Sequence, residues 1–461
     1  MRTCWIVLLV SLFGCSSSYG RPADYSPVDL WTPPPREPAP PPESSAALPA
    51  VLNVQTAVEF ALSENPGLKA AFMRVEAARA RLAASKSFYY PTLDGQAGYL
   101  RTFKVPEDRS FGGFTAENTG FNTIGLRAAW ILFDGLSREY RVKAARLGVE
   151  ESRAMNDDAR RLLRQAVEGA FFDALGAAEN VRIADADLTF EKELLEETSK
   201  RYDAGDRSLS DRLNFEVRVQ TAITRLTTAQ SLLRTLKFVL AELLNLKAGA
   251  FPDTIRLASL EEEAPALLAC PDVEALVKEG LRNRPDLGAA RVAVERGEAE
   301  VGVADGSWWP TVSLVGEIGR QRYGSAHYEP RDVGSSISLD ATWNLFSGGA
   351  SLAAHREALA NQKAAGSTLA QVRNRIVSEV RQAVEAVVTA QKQIAAQRER
   401  LQLTRQTRNL VRKEYDAGSA TLVRLNEAQH DFVVTEAQMA AERVNLRIAW
   451  SGLRAAAACY D

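Results

Sequence analysis

Histidine is scarce in this chain of 461 residues: it occurs three times, at 327, 355 and 430, never at a ligand spacing from another histidine or from a cysteine. Four cysteines form no paired metal motif, and neither a nucleophile elbow nor a phosphate-binding glycine loop occurs, so no cofactor and no enzyme chemistry is expected. A surplus of one charge is also missing. Lys and Arg number 56 against 58 Asp and Glu, a formal net charge of −2, so bulk charge does not select nucleic acid. No run of about 18 apolar residues exists, which excludes a transmembrane helix. Proline is absent from 137 to 202, and that absence leaves a helix free to run.

What is present occurs twice. Ile337, Leu339, Ala341, Trp343 and Leu345 alternate with Ser336, Ser338, Asp340, Thr342 and Asn344, the period of a strand with one apolar and one wet face. At positions 213 lower stand Ile124, Leu126, Ala128, Trp130 and Leu132, followed by Phe133, Asp134 and Gly135 where the second copy has Phe346, Ser347 and Gly348. Earlier strands open after Pro91 and Pro310, with Leu93, Gly95, Ala97 and Tyr99 in the first and Val312, Leu314, Gly316 and Ile318 in the second. Each pair of strands reads as a hairpin. Alternation over about ten residues, with an aromatic near one end, has the length and pattern of a transmembrane β-barrel strand. A single copy would equally suit a strand of a soluble sandwich.

Beyond each hairpin the period changes to 3.6. The stretch from Ser137 to Tyr202 predicts a helix about 100 Å long at 1.5 Å per residue, too long for a globular domain and therefore part of a bundle. A second such helix is predicted from about Ser351 to Tyr415. Tyr202, Asp203, Ala204, Gly205 recurs as Tyr415, Asp416, Ala417, Gly418. Gly205 suits a left-handed helix stop, and Ser208 or Ser210 can cap the returning helix.

At the start, Arg2 precedes an apolar segment, Cys4 to Phe13, of the size of a signal-peptide core. Leu12, Phe13, Gly14, Cys15 resembles a bacterial lipobox, so residues 1–14 are expected to be a lipoprotein signal peptide and Cys15 the lipid-bearing residue. Residues 15–50, rich in proline, are expected to be an extended tether. The rest divides into a first repeat at 51–250, a linker at 251–271 and a second repeat at 272–461.

Both halves, from about Asn53 onward, resemble the TolC-like outer-membrane efflux channel family, and Cys15 points to its lipoprotein branch. The features that carry the resemblance are Tyr90, Pro91, Thr92 with Trp309, Pro310, Thr311; Leu132 to Gly135 with Leu345 to Gly348; and the two Tyr-Asp-Ala-Gly turns. The resemblance implies an α+β membrane protein of two tandem repeats. Four strands per chain would close a trimeric twelve-stranded transmembrane β-barrel, continued by a long periplasmic α-helical barrel. It also implies partners: a periplasmic adaptor (membrane fusion protein), an inner-membrane pump of the RND, ABC or MFS type, and outer-membrane lipid. Physics asks for an oligomer independently, because four strands leave two edges that lipid cannot satisfy. A dimer would give eight strands and an interior filled by side chains; a trimer leaves room for a pore.

Site residues follow from this frame. Tyr202, Gly205, Ser208, Tyr415, Gly418 and Thr421 mark the periplasmic tips and adaptor contact, or simply cap helices. The family places acidic residues after these turns at a constriction, which carries over to Asp211 and Glu427, with Asn426 nearby; Arg424 stands where a further acid is common, so an acid-to-Arg network is expected. Trp130 and Trp343 fall on the lipid phase as a membrane girdle, and Asp94, Arg127, Glu317 and Asp340 on the lumen phase. In this topology Cys270 and Cys459 both return to the equator of the helical barrel, where a disulfide is possible. The rival readings are a periplasmic coiled-coil scaffold or adaptor lipoprotein without a pore, which leaves the strands unexplained, and an exported enzyme, which lacks its constellation.

Overall fold

The structure, a computed structural model, describes residues 49–102, 119–205, 208–246, 249, 251–252, 255–323 and 328–460. Cys15, the signal segment, most of the tether and His327 lie outside the described residues. In chain order the elements are β1 (Val51–Leu52), α1 (Val54–Glu64), α2 (Pro66–Ser87), β2 (Thr92–Thr102), β3 (Thr119–Phe133), α3 (Ser137–Asp203) and α4 (Leu209–Leu243), then β4 (Arg256–Leu257), α5 (Val273–Asn283), α6 (Pro285–Asp305), β5 (Thr311–Tyr323), β6 (Val333–Thr342), α7 (Ala350–Asp416) and α8 (Leu422–Ala457).

The helices start and stop where local chemistry requires. Asn53 closes a capping box with Thr56 at the head of α1. Asn65 then breaks the chain before Pro66, its side chain accepting from the Gly67 and Leu68 amides. α3 and α7 each run 67 residues, about 100 Å. Gly205 and Gly418 end them at φ +79° and +75°, where a Cβ would be strained. Ser208, not Ser210, caps α4 by accepting from the Asp211 amide at 3.1 Å, and Thr421 does the same for Arg424 at 3.4 Å.

Long helices of this kind are held by neighbours rather than by propensity. α3 packs against α1, α2, α4, α6 and α8; α7 packs against α5, α6 and α8. Midway along the bundle, Leu52, Ala57, Val58 and Ala61 meet Val167, Phe171 and Leu175 of α3, Leu240 and Leu244 near the end of α4, and Val444 of α8. Asn65 donates to Leu243 O at 2.9 Å, and 219 residues later Arg284 donates to Ala456 O at 3.3 Å, so each half ties the head of one helix to the end of another. The linker lies along α7 and α8. Glu263 takes Arg398 and, at 2.9 Å, Arg443, while Gln391 and Trp450 both donate to Leu267 O. A short parallel pair, β1 with β4, joins the end of the tether to this linker and has no counterpart in the sequence reading.

The second hairpin corrects one expectation. Strand β6 stops at Thr342, so Trp343 and Leu345 lie beyond the ladder. The reason is the partner: β5 begins at Thr311, after Pro310, which has no N–H to offer. β3 runs on to Phe133 because, between two strands, it pairs with Val312 across a bulge at Ile131 to Phe133.

The cysteine pairing is also corrected: Cys270 and Cys459 are thiols, not halves of a disulfide. Cys270 precedes α5, whereas the end of α8 that carries Cys459 lies beside the other end of α5, at Arg284 and Ala456. Eleven residues of helix separate the two positions by about 16 Å, and a disulfide needs Cα atoms within about 7 Å. A maleimide should therefore add to both residues without reductant, read by peptide mass spectrometry; recovery of a sulfur-linked peptide pair would refute this.

Candidate functional site

The sheet is the first part of the site. Four antiparallel strands lie in the order β2-β3-β5-β6, leaving β2 and β6 as its edges. Register places Asp94 opposite Arg127 and Arg127 opposite Glu317, with an Arg127 Nε to Glu317 Oε1 distance of 3.2 Å. Asp340 lies opposite Ser313 on the same face and accepts from Ser338 at 2.8 Å. All four residues expected in the lumen thus share one polar face. The opposite face carries Leu93, Ile124, Leu126, Trp130, Ile318, Ile337 and Leu339, each 42–82% exposed. An apolar face of that extent needs a cover.

The two tryptophans sit at the helix end of the hairpins and are fixed alike. Trp130 Nε1 donates to Tyr89 O at 2.9 Å, and Trp343 Nε1 to Trp308 O at 3.1 Å. Arg138, which the sequence reading passed over, is buried under the first hairpin. It donates to Phe88 O, Ile131 O and Leu132 O at 3.3, 2.6 and 3.0 Å and meets Asp134 at 3.5 Å. Gly135 leaves no room there for a Cβ, which would stand 2.6 Å from the Trp309 Cβ. Position 351 of the second half holds Ser, so the two hairpins are anchored differently.

The helix tips are the second part. Tyr415 is buried with Leu194, Phe215, Val411 and Leu425, whereas Tyr202 is half-buried under the Arg212 guanidinium, 5.1 Å from its ring. Among the described residues, Asp211, Arg424 and Glu427 do not pair with one another. Arg424 reaches back to Glu414 at 3.3 Å, both ends exposed, and Glu427 faces solvent. Asn426 is buried and donates to Asn214 at 3.3 Å.

About 20 Å back from the tip lies a polar cluster that the sequence reading missed. Asp187 and Glu191 of α3 are 4% exposed each, on the stripe that also buries Leu188 and Leu194. Arg225 of α4 reaches Asp187 at 3.4 Å, Arg218 reaches Glu191 at 3.7 Å, and Gln429 of α8 donates to Asp187 at 2.9 Å. His430 Nδ1 stands 3.2 Å from Arg225 Nη2 and accepts from it. The cluster borders an open cleft of about 510 Å³. Burial pushes the Glu191 carboxyl up to about 6 against the pull of Arg218, with Asp187 adding to the rise and Arg225 opposing it. The signal in the sequence was two acids, four apart, at core-facing positions of an apolar stripe.

Comparison with known proteins adds the family. At 24% identity over 399 residues the chain resembles nodulation protein T of Rhizobium leguminosarum bv. trifolii, covering 83% of this chain and 80% of that one. It resembles the alkaline protease secretion protein AprF of Pseudomonas aeruginosa at 23% identity, with coverage of 87% and 83%. Its fold matches the Campylobacter jejuni CmeC outer membrane channel with a TM-score of 0.77 at 18% identity, over 88% of this chain and 85% of that one. The outer membrane protein VceC of Vibrio cholerae matches with a TM-score of 0.74 at 20% identity, over 88% and 95%. The outer membrane efflux protein family model matches residues 57–246 and 276–458, and the chain belongs to that family.

Proposed function

We propose that three copies of this chain form the exit duct of a tripartite efflux or secretion system in the outer membrane. The observation that carries this reading is the two-faced sheet with both edges unpaired among the described residues, mounted on helices about 100 Å long. Four strands cannot stand in lipid with open edges, and three copies close twelve strands with Asp94, Arg127, Glu317 and Asp340 facing a watery lumen. The apolar face meets lipid, and Trp130 and Trp343 mark the periplasmic interface. The two halves act as tandem repeats, whose α3 with α4 and α7 with α8 make the wall of a periplasmic tunnel.

The duct is passive. An inner-membrane pump drives export, and an adaptor protein grips the tips around Tyr202, Gly205, Ser208, Tyr415, Gly418 and Thr421. Asp211, Arg424 and Glu427 stand at the narrow end, where partners for Asp211 and Glu427 would come from neighbouring copies. Lipid on Cys15 and the tether hold the chain to the outer membrane.

Purified from outer-membrane fractions, the protein should run as a heat-modifiable trimer and insert channels into planar bilayers. A monomer that binds an adaptor but never conducts would sink the duct and leave the scaffold reading. A mature N-terminus without lipid would remove the anchor alone.

A further inference from the structure

The two hairpins match pair for pair. Thr92 faces Ala129 and Arg101 faces Gly120 in the first; 219 residues on along one strand and 213 along the other, Thr311 faces Thr342 and Arg320 faces Val333. β5 is therefore the repeat of β2, and β6 the repeat of β3. Of these four strands, β3 and β5 are paired on both sides, whereas β2 and β6 are paired on one side only among the described residues.

The join between β3 and β5 shows how the second strand of one repeat meets the first strand of the other. It sets Gly125 opposite Gly319 and Ile131 opposite Ser313, then passes a bulge to Phe133 opposite Val312. Shifting these pairs by 213 residues on one side and 219 on the other carries the same join to the two free edges, β6 and β2.

Two observations at the end of β6 call for such a neighbour. Phe133 is half-buried, but its repeat, Phe346, is 86% exposed. Gly135 and Gly348 turn alike, at φ +66° and +64°. A Cβ on Gly135 would stand 2.6 Å from the Trp309 Cβ, whereas one on Gly348 would meet no atom of the described residues within 4 Å. The repeat of Trp309 is Tyr90, 71% exposed just before β2. Within one chain β2 lies three strand spacings from β6, about 14 Å, so the strand that brings Tyr90 to Gly348 belongs to a second copy.

Resting on the duct reading, we infer that the β6 edge of one copy takes the β2 edge of the next in the register of the internal join: Ser338 opposite Leu100, Asn344 opposite Asp94 and, past a bulge, Phe346 opposite Leu93. The ladder of β6 then grows beyond Thr342 on assembly, and Tyr90 of the next copy closes on Gly348. The Asn344 amide donates to the Asp94 carboxylate of the next copy, so this lumen row is complete only between copies. A slip by one residue would turn apolar side chains into the lumen, so the competing registers lie two residues away.

The test is cysteine cross-linking of the full-length protein in outer-membrane fractions, in a Cys270→Ser/Cys459→Ser background. On oxidation, Ser338→Cys/Leu100→Cys should give dimers and trimers that resist SDS and fall to monomer with reductant. Thr342→Cys/Gln96→Cys, a second pair in the same register, should do likewise. Within one chain each pair is too far apart for a disulfide, so every such band joins two copies. Ser338→Cys/Gly98→Cys and Ser338→Cys/Thr102→Cys, the slips of two, should cross-link several-fold less, because diagonal neighbours stand about 7–8 Å apart. A maximum at Gly98 or Thr102 would overturn the register. Absence of disulfide bands in every pair, while a lysine-reactive cross-linker still shows the trimer, would overturn the join and leave the duct. A chain that stays monomeric to that reagent refutes the duct, and the join with it.

Discussion

Arg284→Ala should cost about 3–5 kcal/mol of fold stability, the range for removing one partner of a buried charge network. The side chain is 2% exposed and joins four elements of the helical bundle. It forks onto Asp286 at 2.8 and 3.0 Å, reaches Glu379 of α7 and donates to Ala456 O at the end of α8. Without it, Asp286 keeps Arg375, at 3.2 Å, and the Leu287 amide, at 3.0 Å. Burial pushes the Asp286 carboxyl up, but the hydrogen bonds and charge of Arg284, with Arg161 and Arg375 behind them, outweigh it and hold it below the usual carboxylate range. A depressed carboxyl contributes stability that is present above its unfolded value of about 3.9 and is lost as pH falls through the folded value. The temperature at which the proposed trimer dissociates on a semi-native gel should drop markedly in the variant, and its loss of stability with acid should be shallower than in the wild type. Arg284→Lys, which keeps the charge but not the fork, should fall between. An unchanged dissociation temperature in Arg284→Ala would show that the tie carries nothing.

Asp187→Ala should open the proposed duct more than Arg424→Ala/Glu427→Ala does. The charged residues beside the turns are wet, and an exposed pair such as Arg424 with Glu414 contributes only about 0–1 kcal/mol. Asp187 is buried and bridges three helices, taking Arg225 from α4 and Gln429 from α8. Its loss leaves Arg225 with His430 and takes from Gln429 the acceptor on α3, so α4 and α8 each lose a tie to α3. In planar bilayers the variant should show a several-fold higher open probability with the trimer intact. Wild-type conductance in an intact Asp187→Ala trimer would place the lock elsewhere.

The same cluster sets a pH dependence. Glu191 faces Asp187 on its own helix, Arg218, Arg225 and Asn214 on α4, and Gln429 and His430 on α8, while Arg408 and Arg412 of α7 stack on neighbouring Phe190. Because its folded value is raised from the ordinary 4.5 to about 6, the folded tip holds the proton more tightly than the unfolded chain. That contribution is full at low pH and is lost as pH rises through about 6. Open probability should therefore climb between about pH 4.5 and 6.5, and Glu191→Gln should flatten the climb.

Much of this was legible in the sequence because it depends on short-range rules. Strand alternation around Trp130 and Trp343, the proline-free runs, and the Gly205 and Gly418 stops are each decided within a few residues. The recurrence at 213 and 219 positions multiplied weak local signals into one architecture. The placement of Asp94, Arg127, Glu317 and Asp340 on one face followed from the period of two alone.

The tertiary structure decided what depends on partners far along the chain. Trp343 left the ladder because Pro310, just before the partner strand β5, offers no amide. Cys270 and Cys459 are set apart by the length of α5, which matters only once Arg284 fixes where α8 ends. Arg138 became an anchor because a turn with no room for a Cβ brings three carbonyls over its guanidinium. Asp187 and Glu191 read as ordinary helix acids until α4 and α8 close over them. Burial and pairing are properties of several helices at once, whereas period and capping belong to one stretch of chain.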